Sequence, residues 1–251
     1  MQEYMNLTVD IGNSSAKAAL FDHHTLLLRK QLETDWTKEL LQLAEAYEVN
    51  ACALAVVGHI PPHLTEALRR AVPFVLQVDG LTPTPLVCDY LSPQTLGADR
   101  LAAAVGAAPL RPGCDLLVAD VGTCITYDFV SADGHYRGGN ISPGVGMRLR
   151  ALHEQTARLP LVASSAPRPE PQAIGRTTET AMLAGVWQGI QYEIDGYISR
   201  FRATHPGAAV FLTGGNGRRF TTDAEVICHN ALVETGLNRI LQHHFSPCHP
   251  A

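Results

Sequence analysis

The sequence predicts an α/β fold assembled from a duplicated domain. Two observations carry that expectation: one strand-turn-strand pattern occurs twice, and strand-like and helix-like segments alternate through both halves. A third is composition, with 46% hydrophobic residues and only 17% charged residues over 251 positions, enough apolar material for a well-buried core.

The repeat begins at Leu7-Thr-Val-Asp10-Ile-Gly12-Asn-Ser-Ser, which runs into Ala16 to Phe21, a turn at Asp22-His23-His24, and Leu26 to Leu32. Its second copy is Leu116-Leu-Val-Ala-Asp120-Val-Gly122-Thr-Cys, followed by Ile125 to Val130, a turn at Ala132-Asp133-Gly134, and Tyr136 onward to Gly138-Gly139. Each copy is a strand ending in Asp-aliphatic-Gly, then a tight turn and two further strands. The two aspartates stand 110 positions apart, so each opens one half of the chain.

Helical periodicity follows each meander. Trp36, Leu40, Leu43, Ala44 and Tyr47 recur at helical spacing behind a Thr34 or Asp35 cap. Ala51 to Val57 and Phe74 to Val78 read as strands, with a short helix through Leu64 and Leu68 between them. In the second half an amphipathic helix is expected over Val145 to Ala157 and a long one over Thr178 to Ala203. A strand at Ala209 to Leu212 enters Thr213-Gly214-Gly215, and a helix over Leu232 to Leu241 closes the pattern. Turn formers at Pro109-Leu-Arg-Pro112-Gly113 place the boundary between an N-terminal domain, 1–112, and a C-terminal domain, 113–251. The proline-rich stretch Ser164 to Pro171 reads as a surface loop.

A formal charge of −5 with no run of Lys and Arg argues against a nucleic-acid partner. The six scattered cysteines, without a Cys-x-x-Cys pair, read as free thiols in a reducing compartment. No signal-peptide order opens the chain, and no apolar stretch is long enough to span a bilayer, so a cytoplasmic protein without a membrane partner is expected. The tail His243-His244-Phe-Ser-Pro-Cys248-His249 holds zinc-compatible ligand types, but its spacing matches no regular finger, and it reads as a solvated terminus.

The repeated Asp-x-Gly turns have a physical use. Gly12 and Gly122 let a phosphate approach main-chain N–H groups with no Cβ in the way. Asn13, Ser14 and Ser15 in one copy and Thr123 in the other can donate to phosphate oxygens, and Asp10 is placed to hold Mg²⁺. Facing each other, two such loops would clamp a triphosphate; one alone would be an ordinary strand-end turn. Asp99, in Leu96-Gly97-Ala98-Asp99-Arg100, reads either as a helix-capping carboxylate or as the base that accepts a hydroxyl proton during phosphoryl transfer. Arg100 would meet an anionic substrate or pair with an acid, and Tyr90 can reach the same pocket. The glycine-rich turn at Gly138-Gly139-Asn140 would bring backbone close to a ligand or a partner subunit, and Thr213-Gly214-Gly215 would form a floor for an adenosine moiety, unless either is plain turn chemistry. Thr178, after Gly175-Arg176-Thr177, offers a hydroxyl at a helix N-terminus. Neither a Walker loop nor Gly-x-Gly-x-x-Gly is present.

Taken in order, Asp10-Ile-Gly-Asn13, Gly97-Ala-Asp-Arg100, Asp120-Val-Gly-Thr123, Gly138 to Gly144, Thr156 to Pro160, Gly175 to Thr178 and Thr213-Gly-Gly215 resemble type III pantothenate kinase from about residue 6 to 240. The resemblance implies duplicated ribonuclease-H-like domains of the acetate and sugar kinase/Hsp70/actin superfamily. It implies ATP-dependent phosphorylation of pantothenate to 4'-phosphopantothenate, the first step of coenzyme A biosynthesis. By the same resemblance Asp10, Ile11, Gly12, Asn13, Ser14, Ser15, Ala16 and Lys17 hold ATP, with Thr123 adding contacts. Asp99 is then the proton acceptor; Tyr90, Gly97, Ala98, Asp99, Arg100 and Thr178 contact pantothenate; Asp120 carries K⁺ or NH₄⁺. A homodimer is also implied. Ser14 stands where Thr is usual, and Cys124 and Thr177 replace the commoner Ala and Asn. The competing readings are a sugar or amino-sugar kinase of the same superfamily and a non-catalytic transcription accessory protein.

Overall fold

A computed structural model of the chain describes residues 4–171, 173–220, 222–223 and 225–245. In chain order the elements are β1 (Met5–Ile11), β2 (Ala16–Asp22), β3 (Thr25–Leu32), α1 (Trp36–Ala46), β4 (Ala51–Val56), α2 (Leu64–Ala71), β5 (Phe74–Val78), β6 (Val87–Cys88) and α3 (Ala98–Ala107). They continue as β7 (Leu116–Val121), β8 (Cys124–Val130), β9 (His135–Pro143), α4 (Val145–Glu154), α5 (Thr178–Thr204), β10 (Ala209–Thr213), β11 (Val226–Cys228) and α6 (Leu232–Phe245).

The chain falls into two compact units, one from the described residues of Met1–Gly113, Val130–Gly138 and Ala231–Ala251, the other from Cys114–Phe129 and Gly139–Asn230. One sheet has the order β3-β2-β1-β4-β5; the other runs β11-β10-β7-β8-β9, with β6 added beyond β9. Numbered within its own half, each sheet therefore reads third-second-first-fourth-fifth strand. This is the duplicated ribonuclease-H-like topology.

In the first unit β1 is antiparallel to β2 and parallel to β4, so its Asp10 end sits opposite Lys17 on one side and Ala55 on the other. Both faces of β1 are covered. Leu7, Val9 and Ile11 pack with Leu40 and Ala44 of α1 and with Leu64 and Leu68 of α2. The alternate residues Asn6 and Thr8 are polar yet fully buried. Asn6 Nδ2 donates to Asn238 Oδ1 of α6 at 2.8 Å, and Asn238 Nδ2 donates to the His23 carbonyl at 2.8 Å, which fixes α6 against the sheet. Glu234 is buried on the same helix and accepts from Arg29 Nε at 2.7 Å.

Helices α3 and α6 touch backbone to backbone. A Cβ on Gly236 would lie 1.7 Å from the Ala102 carbonyl oxygen, and one on Gly106 would lie 2.2 Å from that of Leu232. The run of small residues in α3, Ala102 to Ala104, is buried by this approach.

In the second unit β7 is parallel to β10, and β10 to β11. Trp187, Ile190, Ile194 and Ile198 of α5 recur at helical spacing and pack onto Leu117, Ala119, Val121 and Tyr127. The long helix matches its expected span to within a residue. The expected helix from Val145 instead stops at Glu154, because the Thr156 hydroxyl takes the Leu152 carbonyl at 2.7 Å in place of a further turn.

Because α3 and α6 lack room for a methyl group, Gly236→Ala is expected to destabilise the protein by about 1–3 kcal/mol. Chemical denaturation monitored by circular dichroism would measure it; an unchanged midpoint would show that the two helices can separate freely.

Candidate active site

The turn after β1 spans four residues, Gly12 to Ser15, closed by the Gly12 amide donating to the Ser15 carbonyl at 3.0 Å. Asn13 and Ser14 are exposed at its tip. Asp10 is 8% exposed at the end of β1, and Lys17 Nζ stands 4.0 Å from its Oδ2 across the ladder. Gly58, which no motif singled out, packs on the back of this turn. A Cβ there would lie 2.2 Å from the Gly12 carbonyl oxygen, and its amide donates to Ile11 O at 3.1 Å. The only advance signal was a glycine placed just beyond a buried strand.

The second copy is tighter, with only Gly122 and Thr123 between β7 and β8 and the Gly122 amide donating to the Cys124 carbonyl at 2.9 Å. Two separate segments close on it. A Cβ on Gly144 would lie 2.5 Å from Gly122 O and 2.6 Å from Thr123 O. Gly214 has a φ of +89°, and a Cβ there would lie 2.4 Å from Asp120 Oδ1. The Asn216 amide donates to Val121 O at 2.9 Å. Thus the Thr213-Gly214-Gly215 turn lies directly against the Asp120 carboxylate, while Thr123 is exposed.

Asp99 lies in the first turn of α3, whose N-cap is Gly97 without a side-chain cap. Its Oδ1 accepts from the Arg100 amide at 2.9 Å and would lie 2.5 Å from a Cβ on Gly97. The carboxylate therefore satisfies one open N–H of the helix end, as a capping residue does. It also depends on Gly97 for its position. Ala98 and Arg100 are buried beside it, with the Arg100 guanidinium 5.6 Å from the Tyr90 ring centroid. Tyr90, Gly97, Ala98, Asp99 and Arg100 form one cluster in the first unit.

Thr178 lies in the second unit as the first residue of α5. The cap itself is Thr177, whose hydroxyl accepts from the Thr180 amide at 3.2 Å, with the Thr180 hydroxyl returning to the Thr177 amide at 2.9 Å. Thr178 lines a cavity of about 600 Å³ with Arg148, Leu152, Leu159, Ala181, Met182, Gly185 and Val186. Arg148 is held there by Ser142, the Pro143 carbonyl and Glu193. Burial, with Glu193 adding to it, pushes the Tyr127 hydroxyl well above the usual phenol range, so Tyr127 stays a neutral donor to Glu193. A larger cavity of about 800 Å³ beside Arg168, Tyr192, Arg202 and Asp223 contains none of the expected site residues.

Among the described residues no group of three or more His, Cys, Asp and Glu side chains is arranged to hold a metal ion. The segment 246–251, with Cys248 and His249 of the tail, lies outside the described residues. The described cysteines are free thiols, and burial pushes that of Cys52 up to about 12, which keeps it protonated. No described helix is long and apolar enough to cross a membrane.

The family profile described as type III pantothenate kinase matches residues 6–200. The type III pantothenate kinase of Bacteroides fragilis is 44% identical over 242 residues, covering 95% of this chain and 98% of its own. That of Porphyromonas gingivalis is 41% identical over 241 residues, with 95% and 98% covered. Among solved structures, a putative Baf family transcriptional activator from Campylobacter jejuni superposes with a TM-score of 0.59 at 24% identity, covering 95% of this chain and 98% of that one. The activator of 2-hydroxyisocaproyl-CoA dehydratase from Clostridium difficile, with bound ADPNP, gives 0.53 at 11% identity, with 98% and 100% covered. These structural likenesses speak to the fold alone.

The two neighbouring threonines should separate cleanly. Thr177→Ala is expected to lower stability by about 1 kcal/mol through loss of the cap, whereas Thr178→Ala should stay within about 0.5 kcal/mol of the parent. Denaturant midpoints of both variants check this, and equal losses would remove the distinction between cap and site residue.

Proposed function

The chain belongs to the type III pantothenate kinase family, and from that premise we propose that it transfers the γ-phosphoryl group of ATP to the primary hydroxyl of pantothenate, forming 4'-phosphopantothenate and ADP as the first step of coenzyme A biosynthesis. The observation that carries this reading is likeness at 44% identity along nearly the full length of a relative named for that activity.

Each group of residues then takes a role that its chemistry supports. The turn Gly12 to Ser15, with Asp10, Ile11, Ala16 and Lys17, receives phosphates: its backbone approaches without Cβ hindrance, and Lys17 brings positive charge beside Asp10. Thr123 adds a hydroxyl donor, and Thr213-Gly214-Gly215 a side-chain-free floor for the nucleoside. Asp10 is the carboxylate suited to Mg²⁺, which when bound neutralises phosphate charge. Asp120, pressed against Gly214, supplies an oxygen ligand suited to K⁺ or NH₄⁺.

Asp99 accepts the proton of the attacking hydroxyl as the new P–O bond forms and the bond to the ADP oxygen breaks. The proton then passes to solvent. Arg100 and Tyr90 are suited to hold the acceptor, and Thr178 is an exposed hydroxyl suited to the same role. The enzyme works as a cytoplasmic homodimer in this reading; the 112/113 boundary marks where the second copy of the repeat begins in chain order, while Val130–Gly138 and α6 return to the first compact unit.

ATP-dependent phosphorylation of pantothenate with Mg²⁺ and K⁺ present tests the proposal; phosphorylation of a hexose but not of pantothenate would sink it. Asp99→Asn is expected to lower kcat by about 10²–10⁴ with an unchanged melting curve, and near-parental turnover would remove Asp99 from its role. Rates should be higher in K⁺ or NH₄⁺ than in Na⁺. Equal rates in the three salts would defeat the assignment of Asp120.

A further inference from the structure

The short strand β6 ends one residue before Asp89-Tyr90, and it is held in place by β9. Val87 and Cys88 pair in parallel register with His135 and Tyr136. The Val87 amide donates to Gly134 O at 3.0 Å and the Asp89 amide to Tyr136 O at 3.0 Å. A pairing this short orients a following side chain weakly by itself.

Side chains supply the rest. Asp89 Oδ2 accepts from Arg137 Nη1 at 2.5 Å and stands 3.0 Å from His135 Nδ1. Arg137 is itself held on its other nitrogens, Nε donating to Ser131 Oγ at 3.0 Å and Nη2 to Asp133 Oδ2 at 3.2 Å. All three guanidinium nitrogens are thus directed, which fixes the plane of the fork.

The next residue, Tyr90, sets one edge of its ring against Gly138. Gly138 has a φ of +106°, and a Cβ there would lie 3.3 Å from Tyr90 Cδ2 and 3.4 Å from Cε2. Tyr136 lies beside the ring, with centroids 6.1 Å apart, and the Arg100 guanidinium is 5.6 Å from the Tyr90 centroid. Any residue other than glycine at 138 would be strained in its backbone and crowd the ring.

We propose that Asp89 and Arg137 are positioning residues for acceptor binding: their ion pair, braced by His135, holds Tyr90 on Gly138 and beside Arg100. The inference rests on the reading of Tyr90 and Arg100 as acceptor contacts. Neither Asp89 nor Arg137 reaches the acceptor; both act through the ring. The pair is partly exposed, at 35% for Asp89 and 41% for Arg137, so its effect is modest, as for other solvent-screened pairs.

The test uses the full-length enzyme and the steady-state KM for each substrate, in Arg137→Gln, Tyr90→Ala and the double variant, with melting curves for all. Arg137→Gln is expected to raise the pantothenate KM about fivefold while kcat, the ATP KM and the melting temperature stay near parental values. Arg137→Lys should recover part of that loss, since it keeps the charge but not the fork. Tyr90→Ala should raise the pantothenate KM further, and adding Arg137→Gln to it should change nothing more. An undiminished effect of Arg137→Gln in the Tyr90→Ala background overturns the proposal, as does a shift in both KM values together with the melting temperature. If Tyr90→Ala raises the pantothenate KM and Arg137→Gln does not, the latch alone fails. If Tyr90→Ala leaves that KM unchanged, the acceptor reading of Tyr90 fails, and the latch falls with it.

Discussion

Close approach of backbone to backbone at the strand ends is the constraint on which the rest of this molecule depends. Gly58 touches the turn after β1, and Gly144 touches the turn after β7. Gly214 presses on the last turn-facing carboxylate of that same strand, Asp120. None of these contacts tolerates a methyl group without displacement of main chain. The consequence is a pair of tight turns that expose short polar side chains, Asn13, Ser14 and Thr123, on rigid supports, which suits phosphate recognition.

The same principle places Asp99. Its carboxylate hangs over Gly97 and takes the Arg100 amide, so the start of α3 orients it. A carboxylate has two oxygens, so serving a helix end does not exclude accepting a proton. The capping and catalytic readings therefore do not compete. The hydrogen bond to the helix end uses one oxygen and orients the group.

Polar burial serves the scaffold in a different way. Asn6, Asn238, Glu234 and Arg29 tie α6 to the first sheet by directed bonds in a region where apolar packing alone would let a helix slide. In the second unit the long helix α5 is fixed by Trp187 and a row of isoleucines, leaving its capped N-terminus to line the cavity at Thr178.

Much of this was legible beforehand. Asp10 and Asp120 each follow an apolar run and precede a glycine, so strand, strand end and turn were readable as local events. The spans of α5 and of β4 and β5 followed from periodicity for the same reason. What sequence left open depended on residues far apart in the chain. Nothing near Gly58 announces that it meets Gly12, nor anything near Gly214 that it meets Asp120, because such contacts are made by the absence of a side chain. The hold of Arg137 on Asp89, 48 positions away, came from a parallel pairing only two residues long, too short to leave a pattern. The sequence by itself thus determined the duplicated topology and the family, both of which are written in local order and spacing. Tertiary structure alone decided which backbones touch and which side chains are braced, since those depend on the packing of elements that no local pattern encodes.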